Sequence, residues 1–231
     1  ILKKNNEVIY TRDLYDQNID NADYIILPSS IIAHETEIQA LNQLKNKKVF
    51  VTGIFGNTFR DKYLKENSIV VKNESDTFFF NLDKSGNLNK SYLDELFNDK
   101  NLINQFYKSV PLDDFPFPDW EDYTKIYPLR NNFFGLNEKI AIPLLGTRGC
   151  PYSCFNYCTY PLQQGRKVRA RSVENIISEI KYWQKTLGTN KFVFRDPVFS
   201  INRKHTIHFC EEVIRQKLNI TFMVETHLNN M

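Results

Sequence analysis

The chain has 231 residues, 42% of them hydrophobic and 25% charged, enough apolar material for two modest domains with real cores and too much for a disordered chain. Its 30 basic and 27 acidic side chains leave a formal charge of +3 spread along the sequence, which gives no reason to expect a nucleic-acid partner. No run approaches the roughly 20 apolar residues of a membrane-spanning helix, and the nearest candidate, residues 24–33, is broken by Pro28-Ser29-Ser30.

The chain opens on ILKKNN with no signal-like apolar stretch and stops at HLNNM, so it is expected to be a piece of a longer protein. Three of its four cysteines crowd into nine residues. That does not suit a secreted disulfide framework, and a reducing cytosol is expected.

In chain order, residues 7–11 (EVIYT) and 23–27 (DYIIL) read as strands, the second an apolar run suited to a sheet covered on both faces. Residues 35–44 place Ile38, Leu41 and Leu44 on one helical face, with Glu35 and Glu37 near its positive end. Residues 48–52 (KVFVT), closed by Gly53, and 68–72 (SIVVK) complete an alternation that predicts a parallel, doubly wound sheet. From residue 99 to 138 the texture changes. Pro111, Pro116 and Pro118 sit among Asp and aromatic residues in LDDFPFPDW, and Asn131-Asn132 follows. Proline so dense breaks a regular helix, while the aromatics need somewhere to pack, so an ordered connector is expected.

Beyond it, residues 140–145 form an apolar strand candidate that runs into GTRGC. Ser172 is a good N-cap, and Val173, Ile176, Ile177, Ile180, Trp183 and Leu187 trace one helical face that ends at Gly188. Residues 191–194 form a strand stopped by Asp196-Pro197. Ile207, Cys210, Val213, Ile214 and Leu218 mark a second amphipathic helix, and residues 220–224 another strand. This rhythm belongs to a parallel barrel or a doubly wound sheet, and three strands are too few to close a barrel.

Between the first of these strands and its helix lies GTRGCPYSCFNYCTYP. Cys150, Cys154 and Cys158 are spaced three residues apart, and thiolates are soft ligands for iron–sulfur clusters and zinc. A structural zinc usually closes with four protein ligands, and no fourth Cys or His lies nearby; His205 is the first histidine downstream. A cluster, a zinc ion and no metal at all stay open on spacing alone.

The run CPYSCFNYCTYPLQQGRKVRARSVENIISEI resembles the cluster loop and first helix of radical SAM enzymes, in the branch with an N-terminal cobalamin-binding domain. FVFRDPVFSINRK and VETHL resemble that branch's second and third barrel strands, and LDDFPFPDW its interdomain linker. The resemblance implies that Cys150, Cys154 and Cys158 hold a 4Fe–4S cluster whose fourth iron binds S-adenosylmethionine. One electron then breaks a carbon–sulfur bond to give methionine and a 5′-deoxyadenosyl radical. It also implies an electron donor such as a flavodoxin or ferredoxin. The family's usual spacing is CxxxCxxC; this chain reads CxxxCxxxC, and a loop can absorb one residue.

By the same resemblance, Tyr157 matches the aromatic residue that packs near the adenine, and Asp196 would sit near the amino group of S-adenosylmethionine. Glu225, at the end of the third strand, is a further candidate for cofactor or substrate. Blander readings stand beside these: a strand-ending Asp before Pro197, a surface ion pair for Glu225, and a solvated face for Arg166, Lys167, Arg169 and Arg171. Cys210 reads as a buried structural thiol. The DxHxxG motif that supplies the family's cobalamin ligand is absent from these residues. His34 lacks its context, so cobalamin is expected only through the longer protein and not through a histidine here. VTGIFGNT resembles the glycine-rich turn facing the cobalamin nucleotide tail, and Gly53 and Gly56 read equally as turn formers.

The expectation is thus an α/β protein. A partial Rossmann-like, cobalamin-binding-like domain spans residues 1–98, a proline/aromatic connector 99–138, and the first half of a radical SAM (β/α) barrel 139–231. The whole protein is expected to cleave S-adenosylmethionine reductively and start radical chemistry, methyl transfer or rearrangement, on an unknown small molecule. This segment alone is expected to be inactive. The rival is a non-catalytic module stabilised by zinc or a passive cluster.

Overall fold

The computed structural model describes residues 1–11, 13–126, 141–154 and 157–230. It divides into two units, residues 1–110 with 162–164, and residues 111–161 with 165–231. Among the described residues no helix is long and apolar enough to cross a membrane.

In the first unit, helix α1 (Gln17–Asn21) leads into β1 (Tyr24–Pro28), α2 (His34–Gln43), β2 (Lys48–Thr52), the short helices α3 (Ile54–Thr58) and α4 (Arg60–Tyr63), β3 (Ser68–Val70), α5 (Ser75–Lys84) and α6 (Lys90–Asn98). The strands pair in parallel in the order β1-β2-β3. Alternation along β2 sends Phe50 to one face, with Ile69, Phe78, Phe79 and Leu96, and sends Val49 and Val51 to the other, with Leu41, Phe55 and Tyr63. Coverage of both faces is what a doubly wound sheet requires. It centres on β2, whereas β1, expected to be fully covered, lies at the edge with Ile26 39% exposed. The strand expected at residues 7–11 does not form. A strand needs a partner to satisfy its backbone, and the sheet ends at β1. Ile103 and Phe106, in a 3-10 stretch at Lys100–Phe106, pack into this unit's core, so the opening of the expected connector belongs here.

In the second unit come α7 (Trp120–Ile126), β4 (Ala141–Leu144), β5 (Thr147–Arg148), α8 (Tyr160–Gln164), β6 (Arg169–Ala170), α9 (Val173–Leu187), β7 (Lys191–Phe194), α10 (Arg203–Arg215) and β8 (Thr221–Met223). A parallel sheet runs β4-β7-β8. Ile142 pairs with Phe192 and Leu144 with Phe194, and this shared face packs against Ile176, Ile180 and Trp183 of α9 and Phe209 of α10. Successive crossover helices on one face are the arrangement of a (β/α) barrel, and no barrel closes among the described residues. Phe117 and Trp120 of the proline-aromatic segment pack on the same core, where aromatic area finds its burial. The rest of that segment, residues 127–138, and Ile140 lie outside the described residues.

Both ends of α9 follow the sequence: Ser172 Oγ accepts from Asn175 N at 3.2 Å, and Gly188 takes the left-handed conformation at φ 62°. The face of α10 differs from expectation. Phe209 is its buried residue, flanked by Cys210 and Val213, while Ile207 and Ile214 are 45% and 75% exposed. Thr206, Phe209, Cys210 and Val213 are the residues at helical spacing, and the bulkier Phe209 takes the core side.

Candidate cofactor site

After β4 the chain turns through Leu145 and Gly146 into β5, which pairs antiparallel with β6, Thr147 opposite Ala170 and Arg148 opposite Arg169. Residues 149–168 are therefore a loop pinched at its base, at the carboxyl edge of the parallel sheet, where α/β folds gather ligands. All three expected cysteine ligands lie on it. At Gly149 the arms approach so closely that a Cβ would lie 2.2 Å from the Lys167 carbonyl oxygen, and φ is +91°. Only glycine fits there without strain. Cys150 N then donates to Gly165 O at 3.0 Å, and Arg166 Nη1 donates to Ser153 Oγ at 3.1 Å.

Cys150 is buried, Cys154 and Cys158 are half-buried, and all are free thiols, as is Cys210. Among the described residues no three His, Cys, Asp or Glu side chains are gathered closely enough to hold a metal ion. The donor set nonetheless fits an iron–sulfur cluster in its chemistry, because three unoxidised thiols on one loop are the ligands such a group takes. Cys210 stays apart, packed against the α9–α10 core, where burial pushes its thiol pKa up.

The other expected site residues fare differently. Tyr157 is 75% exposed. Glu225 is exposed and pairs with Arg195 Nη1 at 3.2 Å, an ion pair of small energetic value at that exposure. Asp196 is 1% exposed. Its Oδ1 accepts from Gly146 N at 2.7 Å and its Oδ2 from Thr147 Oγ1 at 2.7 Å. Burial raises its pKa, and the bonds from Thr147 and Gly146 offset part of the rise.

Three features were missed in the sequence. Tyr160, half-buried at the start of α8 and two residues after Cys158, has its phenol pKa raised first by burial and then by Glu225, with Arg195 opposing and Cys158 and Asp196 adding to the rise. Tyr152, between the first two cysteines, stacks on His227 with ring centroids 4.7 Å apart and donates to Asn230 Oδ1 at 2.5 Å. The third is Arg171. Neither solvated nor open to an anion, it bonds Glu179 Oε2 at 2.5 Å, Asn175 Oδ1 at 2.7 Å and Leu145 O at 3.1 Å. Glu179 is 1% exposed and also accepts from Trp183 Nε1 at 3.2 Å. The available signal was Glu179 itself, a carboxylate on the apolar stripe of α9 that needs a buried partner.

In the first unit, Ser29 follows β1 and occupies the space in front of both glycines of VTGIFGNT. A Cβ on Gly53 would lie 2.5 Å from Ser29 O, and one on Gly56 2.8 Å from Ser29 Oγ. Ser29 Oγ donates to Thr52 O at 2.6 Å and accepts from Gly56 N at 2.7 Å. The glycines thus permit two loops to touch, which is more than turning the chain. His34 Nδ1 lies 3.1 Å from Ile31 O, and its ring is 4.8 Å from that of Phe55. Glu37, expected simply to face the positive end of α2, is buried and accepts from Ser30 N at 2.9 Å, Ser30 Oγ at 3.0 Å and Tyr63 Oη at 2.9 Å.

A parallel α/β unit with a three-cysteine loop at its carboxyl edge, preceded by a doubly wound unit, defines the class: a Rossmann-like domain followed by the opening of a (β/α) barrel. No protein-family model matches the chain. The chain is similar in fold to the cobalamin-dependent S-adenosylmethionine radical enzyme OxsB, solved with aqua-cobalamin and S-adenosylmethionine bound, with a TM-score of 0.58 and 15% identity over 88% of this chain and 30% of that one. In sequence it is 28% identical over 113 residues to the anaerobic magnesium-protoporphyrin IX monomethyl ester cyclase of Rubrivivax gelatinosus, 49% of this chain and 18% of that protein. It is 31% identical over 104 residues to the bacteriochlorophyllide d C-12(1)-methyltransferase of Chlorobaculum tepidum, 42% of this chain and 22% of that protein. The chain therefore spans less than a quarter of the length of these curated relatives. It resembles the radical SAM superfamily, in the branch with an N-terminal cobalamin-binding-like domain.

Proposed function

We propose that this chain is part of a radical SAM enzyme. Cys150, Cys154 and Cys158 would hold a 4Fe–4S cluster, and the whole protein would use it to cleave S-adenosylmethionine and start methyl transfer or rearrangement on a small molecule. The observation that carries this reading is the loop of residues 149–168, which puts three free thiols at the carboxyl edge of a parallel sheet. A cluster held by these cysteines would supply the single electron that reductive cleavage of S-adenosylmethionine needs.

The chain's own residues contribute position and exclusion of water. Gly149 lets the arms of the loop close beside Cys150, and the Cys150 N–H bond to Gly165 O ties the first ligand to the returning arm. Tyr152, held by His227 and Asn230, would cover the loop on the side of the chain that follows β8. The cobalamin of the relative OxsB, the identity of the substrate and the electron donor, of the flavodoxin or ferredoxin kind, belong to the same proposal and to the whole protein.

Anaerobic reconstitution of the whole protein with iron and sulfide tests it. Uptake of about four irons per chain with broad visible absorption is expected. Uptake should be lost on changing Cys150, Cys154 or Cys158 to Ala and kept in Cys210→Ala. Stoichiometric zinc in anaerobically purified protein, with no iron uptake, refutes the reading in favour of a metal-stabilised module.

A further inference from the structure

Asp196 stands where a cofactor contact is expected, at the carboxyl end of β7, yet both of its oxygens are engaged by the chain itself. Oδ1 takes the Gly146 N–H and Oδ2 the Thr147 hydroxyl, each at 2.7 Å, and Thr147 is 1% exposed like Asp196. The two donors, Gly146 and Thr147, sit at the foot of the cysteine loop, four and three residues before Cys150. The same foot is held from its other side. Arg171 N donates to Gly146 O at 2.9 Å, and Arg171 O lies 2.8 Å from His205 Nε2. Gly146 fits closely, since a Cβ would lie 3.2 Å from Asp196 Oδ2 and 3.3 Å from Ile176 Cδ1, so a side chain there would press on the Asp196 carboxylate.

The ribbon that closes the loop, β5 with β6, is only two residues on each strand. A ribbon so short is marginal alone, and its register needs an outside anchor. A buried carboxylate that bonds a backbone N–H and a hydroxyl of one strand is such an anchor. Breaking either bond leaves a polar group buried away from water without its partner, and that cost is what holds the register.

We propose that Asp196 and Thr147 form a latch that fixes the cysteine loop to β7 and so sets the position of Cys150, making Asp196 a positioning residue for the cluster site and not a contact to the amino group of the cofactor. The inference rests on the reading of Cys150, Cys154 and Cys158 as cluster ligands for its functional meaning, while the latch itself can be measured without any cluster.

The experiment uses the whole protein with Asp196→Ala, Asp196→Asn, Thr147→Val and Thr147→Ser. Asn keeps an acceptor for Gly146 N and a polar partner for Thr147, and Ser keeps the hydroxyl. In cluster-free protein, alkylation of each cysteine by iodoacetamide is followed by peptide mass spectrometry. Losing a buried hydrogen bond should speed Cys150 alkylation about tenfold in Thr147→Val and Asp196→Ala, and keeping the bonding pattern should leave it nearly unchanged in Thr147→Ser and Asp196→Asn. After reconstitution, the electron paramagnetic resonance signal of the reduced cluster should be altered in Thr147→Val and restored in Thr147→Ser. Circular dichroism checks that each variant folds, and the Thr147 pair carries the test if Asp196→Ala does not. Unchanged Cys150 reactivity in Thr147→Val, with normal iron uptake, overturns the latch and leaves the cluster reading standing. Weakened S-adenosylmethionine binding in Asp196→Asn alone, with Thr147→Val normal, also overturns it. The expected alkylation pattern in a protein that takes up no iron supports the latch and refutes the cluster.

Discussion

Replacing Arg171 with Met removes one half of a buried ion pair. The Arg171 side chain is 11% exposed and the Glu179 side chain 1% exposed, so little water reaches either. In Arg171→Met the Glu179 carboxylate keeps one described partner, the Trp183 indole at 3.2 Å, and Asn175 and Leu145 O lose their guanidinium donors. Breaking such a pair from one side costs about 3–5 kcal/mol, a fifth or more of the roughly 5–15 kcal/mol that a domain has. With a urea dependence of about 2 kcal/mol per molar, the midpoint should fall by about 2 M. Both tryptophans, Trp120 and Trp183, belong to the second unit, so tryptophan fluorescence follows unfolding of that unit alone. Glu179→Gln should cost less, because Arg171 retains Asn175 and Leu145 O. The double change Arg171→Met with Glu179→Leu should recover most of the loss, because no charge is then left buried. An Arg171→Met midpoint matching a change of less than about 1 kcal/mol would falsify the assignment of this pair as the strut beneath the cysteine loop.

Gly149→Ala should destabilise the second unit by about 1–3 kcal/mol, since it forces a side chain into positive φ against the Lys167 carbonyl; a urea midpoint equal to that of the parent protein contradicts the close approach. Glu37→Ala strips the acceptor from Ser30 N, Ser30 Oγ and Tyr63 Oη and should cost on the order of 3 kcal/mol in the first unit. Hydrogen exchange at the Ser30 amide should accelerate there, and unaltered protection argues against the staple. Burial holds the Asp196 pKa above its ordinary value, so its stabilising contribution is complete below the unfolded-state pKa and is lost as pH rises through the folded-state one. Asp196→Asn does not ionise, so its stability relative to the parent should climb as pH rises above the ordinary aspartate pKa of about 4, and a pH-independent difference would show the carboxylate is not desolvated.

Much of the second unit was legible because its signals are local. Ser172, the apolar stripe from Val173 to Leu187 and Gly188 specify α9 through capping and 3.6-residue periodicity, and the three cysteines are visible by spacing alone. The strand at Lys48–Thr52 was equally plain, since a run buried on both faces is apolar throughout. What the tertiary structure decided depends on partners distant in sequence. Residues 7–11 have strand-like composition and join none of the sheets among the described residues. On α10, the choice between Phe209 and the Ile207–Ile214 side was made by the aromatic cluster of Phe194, Phe199 and Phe222. Asp196 looks from sequence like a turn residue or a cofactor contact, and only the fold brings it to Gly146 and Thr147, about fifty residues earlier in the chain. Arg171 reads as part of a solvated basic run until burial pairs it with Glu179. Local chemistry is written in neighbouring residues, while the fate of a charge depends on how much water the assembled fold leaves around it.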